Sequence, residues 1–268
     1  MKIITIPLLS ILIVQGSCAF ERLVVGAEPI GLGNSIVAYP YSAYALYYNP
    51  ANLVYHKNSK ITLNYRTFYG ISELIQADVS GIHWIAGVPV GWGLHHYGNE
   101  LYHETQALLS SSWSFSKTTS IGIGVSFYAL SITGYGESYT WGVHISVTTQ
   151  IADRLYWGAM ISNINQPTIG ESREALPQSL DIGICYSIDQ DLFLTTDIYK
   201  ETRFKPDFRA GIGYRLNSII AVRGGIEDKV ETFTMGFGLK LTKFNFDYAI
   251  MVHPELNASH AISVLVDL

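Results

Sequence analysis

A two-residue alternation of apolar and polar side chains recurs along most of this chain and constrains its fold more than any other feature. In residues 121–128, isoleucine, valine and phenylalanine occupy one set of alternate positions, and glycine, serine and tyrosine occupy the other. The same pattern returns in residues 180–187, 208–215 and 233–240. Successive side chains of a β-strand point to opposite faces, so each segment is predicted to form a strand with one apolar face. The fold class is therefore all-β.

The alternating segments are long for strands of a soluble protein. Soluble strands average about 5 or 6 residues, whereas a tilted strand needs about 9 to 11 residues to cross a bilayer. A soluble β-sandwich or soluble barrel also buries one face of each strand and is the alternative, but the segment lengths favour the membrane. We place fourteen segments at residues 60–69, 74–86, 88–97, 105–116, 119–133, 138–150, 154–164, 178–188, 191–200, 206–216, 218–227, 230–241, 243–253 and 259–268.

The even number of segments and the lengths of their connections agree with a bacterial outer-membrane barrel. Such barrels have short turns on the periplasmic side and longer loops outside. Connections after even-numbered segments are short, whereas the long ones, such as residues 98–104 and 165–178, follow odd-numbered segments. We predict a transmembrane antiparallel β-barrel of about 14 strands over residues 60–268. The strand bounds within residues 74–116 stay open, because Leu108 to Trp113 alternates poorly.

Composition agrees with a membrane protein and excludes a nucleic-acid partner. Only 15% of the residues are charged, whereas about 25% is usual in soluble proteins. Lys and Arg number 17 against 22 Asp and Glu, a net charge of −5 that provides no basic field for a phosphate backbone. The expected partner is the outer-membrane lipid.

The first nineteen residues resemble a secretory signal peptide. Lys2 precedes an apolar run over residues 3–14, and Ser17 and Ala19 place small side chains at positions −3 and −1 of a cleavage site. We predict that residues 1–19 are removed and that the mature chain begins at Phe20.

Two alternatives for the amino terminus are weaker. The apolar run is shorter than the roughly 18 residues that a membrane anchor needs. A lipoprotein cut before Cys18 is disfavoured by Gln15, which stands where an aliphatic residue is expected. Cleavage after Ala19 would leave Cys185 as the only cysteine, so no intramolecular disulfide is expected.

Residues 20–59 precede the first predicted strand, and glycines and prolines interrupt their apolar stretches. Turns at Gly31-Leu32-Gly33 and at Asn49-Pro50 would let the chain fold back inside a lumen, with Asn49 bonding its own backbone. We predict that residues 20–59 form an amino-terminal hatch. The many Tyr, Leu, Ile and Val side chains argue against a disordered periplasmic tail. Gly31 and Gly33 do not indicate a dinucleotide-binding loop, because the sequence lacks the third glycine at the required spacing and a following βαβ pattern.

Two motifs carry a family resemblance. Residues 26–38 form a glycine-rich stretch that leads into Asn49-Pro50-Ala51-Asn52-Leu53, and the carboxyl end contains Phe246-Asp247-Tyr248-Ala249 and His260-Ala261-Ile262-Ser263. The chain is similar in both motifs to the FadL-like outer-membrane proteins, particularly the PorV/PorQ branch. It departs from the branch at Asn52, at Tyr39-Pro40-Tyr41, at Ala261 and at Leu268.

The resemblance implies a fourteen-stranded barrel whose amino-terminal segment folds into the lumen as a hatch containing Asn-Pro-Ala. The candidate hatch or ligand-side residues are Gly31, Gly33, Asn49, Pro50 and Ala51. The polar faces of the strands supply the candidate lumen-facing residues Arg66, Asp181, Asp197, Arg209 and Asp247. The lipid side is expected to carry Ile182, Ile212, Phe237 and Val264.

Catalytic and metal sites are not expected. His144 and Ser146 share a strand face, but no glycine-flanked nucleophile motif surrounds Ser146, and such positions are where lumen residues belong. His95 and His96 are adjacent and point to opposite faces, so they cannot jointly bind a metal. We predict no enzyme activity, no metal and no other cofactor. The sequon at Asn257-Ala258-Ser259 is taken as chance.

Two functions follow from the resemblance. The first is a channel that binds small hydrophobic compounds and passes them across the outer membrane, with the hatch preventing free diffusion. The second is a PorV/PorQ-like accessory or shuttle protein of a type IX secretion system, which would interact with exported proteins. The short predicted loops favour the first, because a stable protein interface buries about 800 Å² on each partner.

Overall fold

The computed structural model describes residues 19–21, 23–228 and 231–268. The predicted signal peptide, apart from Ala19, lies outside the described residues.

Fourteen strands form a closed antiparallel barrel, as the alternation predicts. Their bounds are Lys60–Phe68 (β1), Ile71–Ile85 (β2), Val88–Gly98 (β3), Tyr102–Ser114 (β4), Thr119–Ile132 (β5), Gly136–Ala152 (β6), Leu155–Ser162 (β7), Ser179–Ser187 (β10), Leu192–Glu201 (β11), Asp207–Arg215 (β12), Ile220–Glu227 (β13), Thr232–Leu241 (β14), Phe244–Val252 (β15) and Ser259–Asp267 (β16). Two further short strands, Thr168–Ile169 (β8) and Glu174–Ala175 (β9), pair with each other outside the barrel wall.

The first and last barrel strands pair with each other and close the sheet. Their register runs from Lys60 opposite Asp267 to Thr67 opposite His260. Closure leaves no unpaired strand edge, which a sheet in hydrocarbon requires because lipid cannot satisfy backbone groups.

The two faces of the wall differ as the sequence pattern requires. Along β10, Ser179, Asp181 and Cys185 are buried, whereas Ile182 and Ile184 are exposed. Large apolar side chains cover the outer face, and buried polar side chains dominate the inner face. The outer face is the lipid-facing surface of a transmembrane barrel. Among the described residues, no helix is both long enough and apolar enough to cross a membrane.

The amino-terminal segment contains two short helices, Ala27–Gly31 (α1) and Ala45–Tyr48 (α2), and a 3-10 helix, Pro50–Tyr55. Asn49 caps the 3-10 helix, since its side chain accepts from the N–H of Ala51, and Pro50 stands at the first helical position. Buried apolar side chains of the segment pack with Ile82 and Leu108 of the wall. The apolar core of the protein therefore lies inside the barrel.

The connections differ in one respect from the expectation. The turn between β3 and β4 spans only residues 99–101, because β4 begins at Tyr102 rather than near residue 105. Of the connections that the structure describes, the one from β7 to β10, which holds the β8–β9 hairpin, is the longest.

Candidate ligand passage in the barrel lumen

The amino-terminal segment lies against inward-facing glycines of the wall. A Cβ atom on any of them would lie within 3.0 Å of a backbone atom of the segment. We call these five residues the glycine seat: Gly122, Gly158, Gly211, Gly225 and Gly236. They belong to β5, β7, β12, β13 and β14. The segment can approach the wall this closely because these positions have no side chain.

Gly31 and Gly33 pack on this seat. A Cβ on Gly31 would lie 2.9 Å from the Cα of Gly236. Gly33 has a φ of +61°, and its Cβ would lie 2.7 Å from the carbonyl oxygen of Ile226. Gly33 therefore needs glycine both for its backbone conformation and for its contact with β13.

Asn49 is a fully buried amide that joins the segment to β6. Its Nδ2 donates to the carbonyl of Val37 at 2.6 Å and to Oγ1 of Thr148 at 2.8 Å. Its Oδ1 accepts from the N–H of Ala51, which also donates to Oγ of Ser146 at 2.9 Å. Both halves of the amide are satisfied, so the 3-10 helix is tied to the wall at Asn49, Pro50 and Ala51.

Wall side chains also satisfy the backbone of the segment. The N–H groups of three segment residues each donate to a wall side chain: Ala27 to Ser263 at 2.8 Å, Gly33 to Thr234 at 3.1 Å and Val37 to Asp197 at 3.0 Å. These acceptors lie on β16, β14 and β11, and the Asn49 contacts lie on β6. The segment therefore passes around the inner circumference of the barrel.

Three of the candidate lumen-facing residues, Asp197, Asp247 and Arg209, contact the segment directly or through one intermediate. Asp197 accepts from Val37, as above. Asp247 accepts from Nη1 of Arg223 at 2.6 Å, and Nη2 of Arg223 lies 3.5 Å from the carboxylate of Glu28. The side chain of Glu28 is only 15% exposed, and this partial burial raises the pKa of its carboxyl, whereas Arg223 opposes the effect. Arg223 therefore links α1 to the wall.

Arg209, Arg66 and Asp181 are also buried on the inner face. Arg209 donates from Nε to Asp207 at 2.7 Å and lies over the ring of Tyr199. The same Nε lies 3.8 Å from the carboxylate of Glu227, which accepts from Nδ2 of Asn34 in the segment at 2.5 Å. Arg66 lies over the ring of Phe68, 4.3 Å from its centroid. Asp181 lines a cavity beside the amino end of the segment. The five charged candidates therefore do not form one cluster.

Cavities lie at both ends of the segment. At the end that carries the β7–β10 connection, a cavity of about 90 Å³ is lined by Leu23, Leu108, Tyr128 and Met160 together with polar residues, and a second of about 500 Å³ is lined by Arg66 and Tyr97. At the opposite end, a cavity of about 490 Å³ is lined by charged residues, which include Glu28, Arg223 and Asp247. The segment lines cavities at both ends.

The histidine and serine on β6 are not partners. Ser146 accepts from Ala51, whereas Nε2 of His144 lies 2.8 Å from Oγ of Ser126. Nδ1 of His144 accepts from the N–H of Asn163 at 3.3 Å. In the neutral ring Nε2 then carries the proton and donates to Ser126, so His144 is not placed to remove a proton from that hydroxyl.

The sequence alone does not identify the glycine seat or Arg223. The alternation shows glycines on the polar faces of β5, β12 and β14, but small residues are compatible with the inner face of any barrel and so do not indicate a contact. The recurrence of glycine at inward-facing positions of several strands is the signal that could have indicated close contact between the wall and another backbone segment.

No protein-family model matches the sequence, and no curated protein matches it. Solved structures do match the fold. The toluene transporter TbuX of Ralstonia pickettii superposes with a TM-score of 0.70 and 12% identity, over 93% of this chain and 100% of that chain. The toluene transporter TodX of Pseudomonas putida gives 0.70 and 13%, over 92% and 99%. A FadL homologue of Pseudomonas aeruginosa gives 0.64 and 10%, over 90% and 98%. The chain therefore has a FadL-like fold.

Proposed function

We propose that this chain is a non-enzymatic outer-membrane channel that binds small hydrophobic compounds and passes them across the membrane. The fold is shared with proteins described as toluene transporters. An apolar outer face with a closed sheet fits a bilayer, and the predicted signal peptide provides export. By the usual orientation of such barrels, the end with the long β7–β10 connection faces outside.

The proposal depends mainly on the apolar lining between the segment and the wall at that outer end. Leu23 and Leu46 of the segment face Leu108, Tyr128 and Met160 across the 90 Å³ cavity. An apolar cavity of roughly 150 Å³ holds benzene in another protein. A ring-sized compound would therefore need Leu23 or a neighbouring side chain to move, while the polar groups around the cavity would orient it.

In this proposal residues 20–59 act as the hatch. Water and ions would be excluded because the segment fills the lumen at the level of the glycine seat. A hydrophobic compound would bind at the outer cavity first and then cross with a small displacement of the segment. The candidate residues Gly31, Gly33, Asn49, Pro50 and Ala51 hold the hatch in place rather than contacting the compound.

Uptake by proteoliposomes tests the proposal. Radiolabelled toluene or a fatty acid should enter liposomes that contain the protein faster than empty liposomes. Leu108→Gln should slow the uptake several-fold, because it places an amide in the apolar cavity. Leu109→Gln is the matched control, since Leu109 is the neighbouring residue on the outer face. Equal uptake by protein-containing and empty liposomes across a panel of hydrophobic compounds would contradict the proposal.

The role in type IX secretion stays a prediction from the sequence resemblance. Co-purification of exported proteins with the barrel would favour it, and retention of a hydrophobic compound would favour the channel.

A further inference from the structure

The residue at the predicted cleavage site, Phe20, is held inside the barrel. Its ring lies edge-on to the ring of Tyr128, with the centroids 4.8 Å apart. Ala19 and Phe20 are buried together with Ile169 and Leu176 from the β7–β10 connection. The backbone N–H of Phe20 donates to the side-chain carboxylate of Glu104.

Glu104 is a buried carboxylate that has no lysine or arginine partner in the described part of the chain. His95, which pairs with Asp78, and the acidic Glu21 line the same cavity as Glu104. Its side chain is on the inner face of β4, and only 7% of the residue is exposed. The hydroxyl of Tyr102 donates to Oε1. No lysine or arginine of residues 19–21, 23–228 and 231–268 forms an ion pair with it. Buried carboxylates are rarely left without a cation, so this site suits a positive charge.

The backbone at Phe20 is strained while the chain is continuous. Its φ is +55°, a left-handed conformation that is unusual for a bulky residue. The φ torsion includes the carbonyl carbon of Ala19, and hydrolysis of the Ala19–Phe20 bond removes that atom. Cleavage at this bond therefore removes the strained torsion at the position where the N–H contacts Glu104.

We propose that cleavage after Ala19 creates an α-ammonium group at Phe20 that forms an ion pair with Glu104 inside the barrel. Hydrolysis by a signal peptidase consumes one water, leaves a carboxylate on Ala19 and leaves an amine on Phe20 that takes up a proton. The same nitrogen that donates to Glu104 in the continuous chain then carries a positive charge. The pair anchors the start of the mature chain, and it does not depend on which compound the barrel passes.

The ion pair and burial have opposite effects on the pKa of the terminal amine, so the two can be told apart by the pH dependence of its reactivity. An α-ammonium group ordinarily has a pKa of about 7.7–8.0, and a carboxylate partner raises this value. Burial alone would lower it. Reductive methylation requires the neutral amine, so the pH at which the folded protein becomes reactive reports the charge partner.

The test uses detergent-solubilised mature protein, with intact mass first locating the terminus. We expect a chain that begins at Phe20 and whose terminal amine is methylated at pH 7 about tenfold more slowly than in heat-unfolded protein, the change produced by one pKa unit. The pH midpoint of methylation should lie above 8. In E104Q the folded protein should react several-fold faster and the midpoint should fall. E73Q is the control, since Glu73 is exposed near the same end of the barrel.

Several outcomes overturn the proposal. A mature chain that begins elsewhere, or that carries lipid on Cys18, removes the charge from this position. A midpoint at or below 8 in the unsubstituted protein shows an amine that is not paired, and this measurement needs no variant to fold. Equal rates in E104Q and the unsubstituted protein, with both barrels folded by heat-modifiable gel migration, assign the protection to burial alone.

Discussion

Adding one methyl group to the wall at Gly122 should release the amino-terminal segment, whereas the same change two residues along the strand should not. A Cβ on Gly122 would lie 2.3 Å from the backbone nitrogen of Ala51. A Cβ on Gly124, which faces the lumen on the same strand, would have nothing closer than a side-chain atom of His144 at 3.4 Å. Gly122→Ala therefore needs the 3-10 helix to retreat by about 1 Å, and Gly124→Ala needs no movement.

The retreat breaks the bonds that attach the segment to β6. These are Ala51 N–H to Ser146, and Asn49 Nδ2 to Thr148 and to the carbonyl of Val147. At about 0.5–1.5 kcal/mol for each bond, the seated state loses roughly 2–4 kcal/mol. Since 1.4 kcal/mol is tenfold in an equilibrium constant, the unseated population should rise about 30- to several-hundred-fold.

Planar-bilayer recording measures this population as the frequency of conducting events. Gly122→Ala should conduct more often than the unsubstituted protein, and Gly124→Ala should match the unsubstituted protein. All three should show the same heat-modifiable gel migration, because the wall itself is unchanged. Equal, low conductance of Gly122→Ala and Gly124→Ala would show that the contacts at Ala51 do not control the lumen.

Three further predictions concern the segment and the wall. Deleting residues 26–53 should give a steadily conducting, folded barrel, because β1 begins only at Lys60; conductance no higher than that of the full chain in planar bilayers would mean that wall side chains close the lumen unaided. Burial and the nearby Lys60 lower the pKa of His56 to about 4 in the seated state, so the unseated state takes up a proton first as the pH falls from 6.5 to about 4. At pH 5 the seated state should therefore be less stable by at most about 2 kcal/mol. Conducting events should become more frequent between pH 7 and pH 5 in the unsubstituted protein, and less so in His56→Gln. Phe237→Arg should hinder insertion more than Ala221→Arg, because it places a charge on the lipid side at a cost of about 2–4 kcal/mol near the bilayer midplane, whereas Ala221 lines the inner cavity. Assembly into liposomes, followed by gel migration, measures the order of the two variants, and the reverse order would mean that the register is shifted.

The comparison for Phe237→Arg illustrates what the sequence can and cannot supply. The alternation places Gly236 on the inner face, and from the sequence alone an arginine there looks tolerable. In the structure its Cβ would lie 3.0 Å from the Cα of Gly31. Ala221 is the better control, because it lines a cavity.

The strands were predictable because their signal is local. A period of two persists over each strand, and a one-residue error would place every side chain on the wrong face, so the register of burial is strongly specified. The fourteen predicted segments correspond to the fourteen barrel strands, and the largest differences lie at strand ends. The β8–β9 hairpin was missed because each of its strands has two residues, too few to show a period.

The contacts of the segment were not predictable, because each joins residues far apart in the chain. Asn49 predicts a local turn, and its bond to Ala51 is of that kind, but its bond to Thr148 spans 99 residues. Nothing near Gly33 in the sequence indicates that Thr234 accepts from its N–H. Such pairings arise only when the barrel closes.

The path of the segment around the wall has a consequence for assembly. Residues 27–51 leave the ribosome and the export machinery before any strand. Apart from Asn64, which accepts from Tyr44, the wall residues that hydrogen-bond to them extend from Ser146 to Ser263. Most of the hydrogen-bonding groups of the segment therefore find their partners only in strands from β6 onward, and loop closures of this length are slow. A barrel that closed early would leave the segment outside, so the last hairpin, β15–β16, has to join β1 after the segment has been gathered in. The bond from Ala27 to Ser263 can form only when β16 is in place, and the pairing of β16 with β1 is also the step that closes the sheet. A barrel whose segment makes all of its wall contacts has therefore taken in the segment before or during closure.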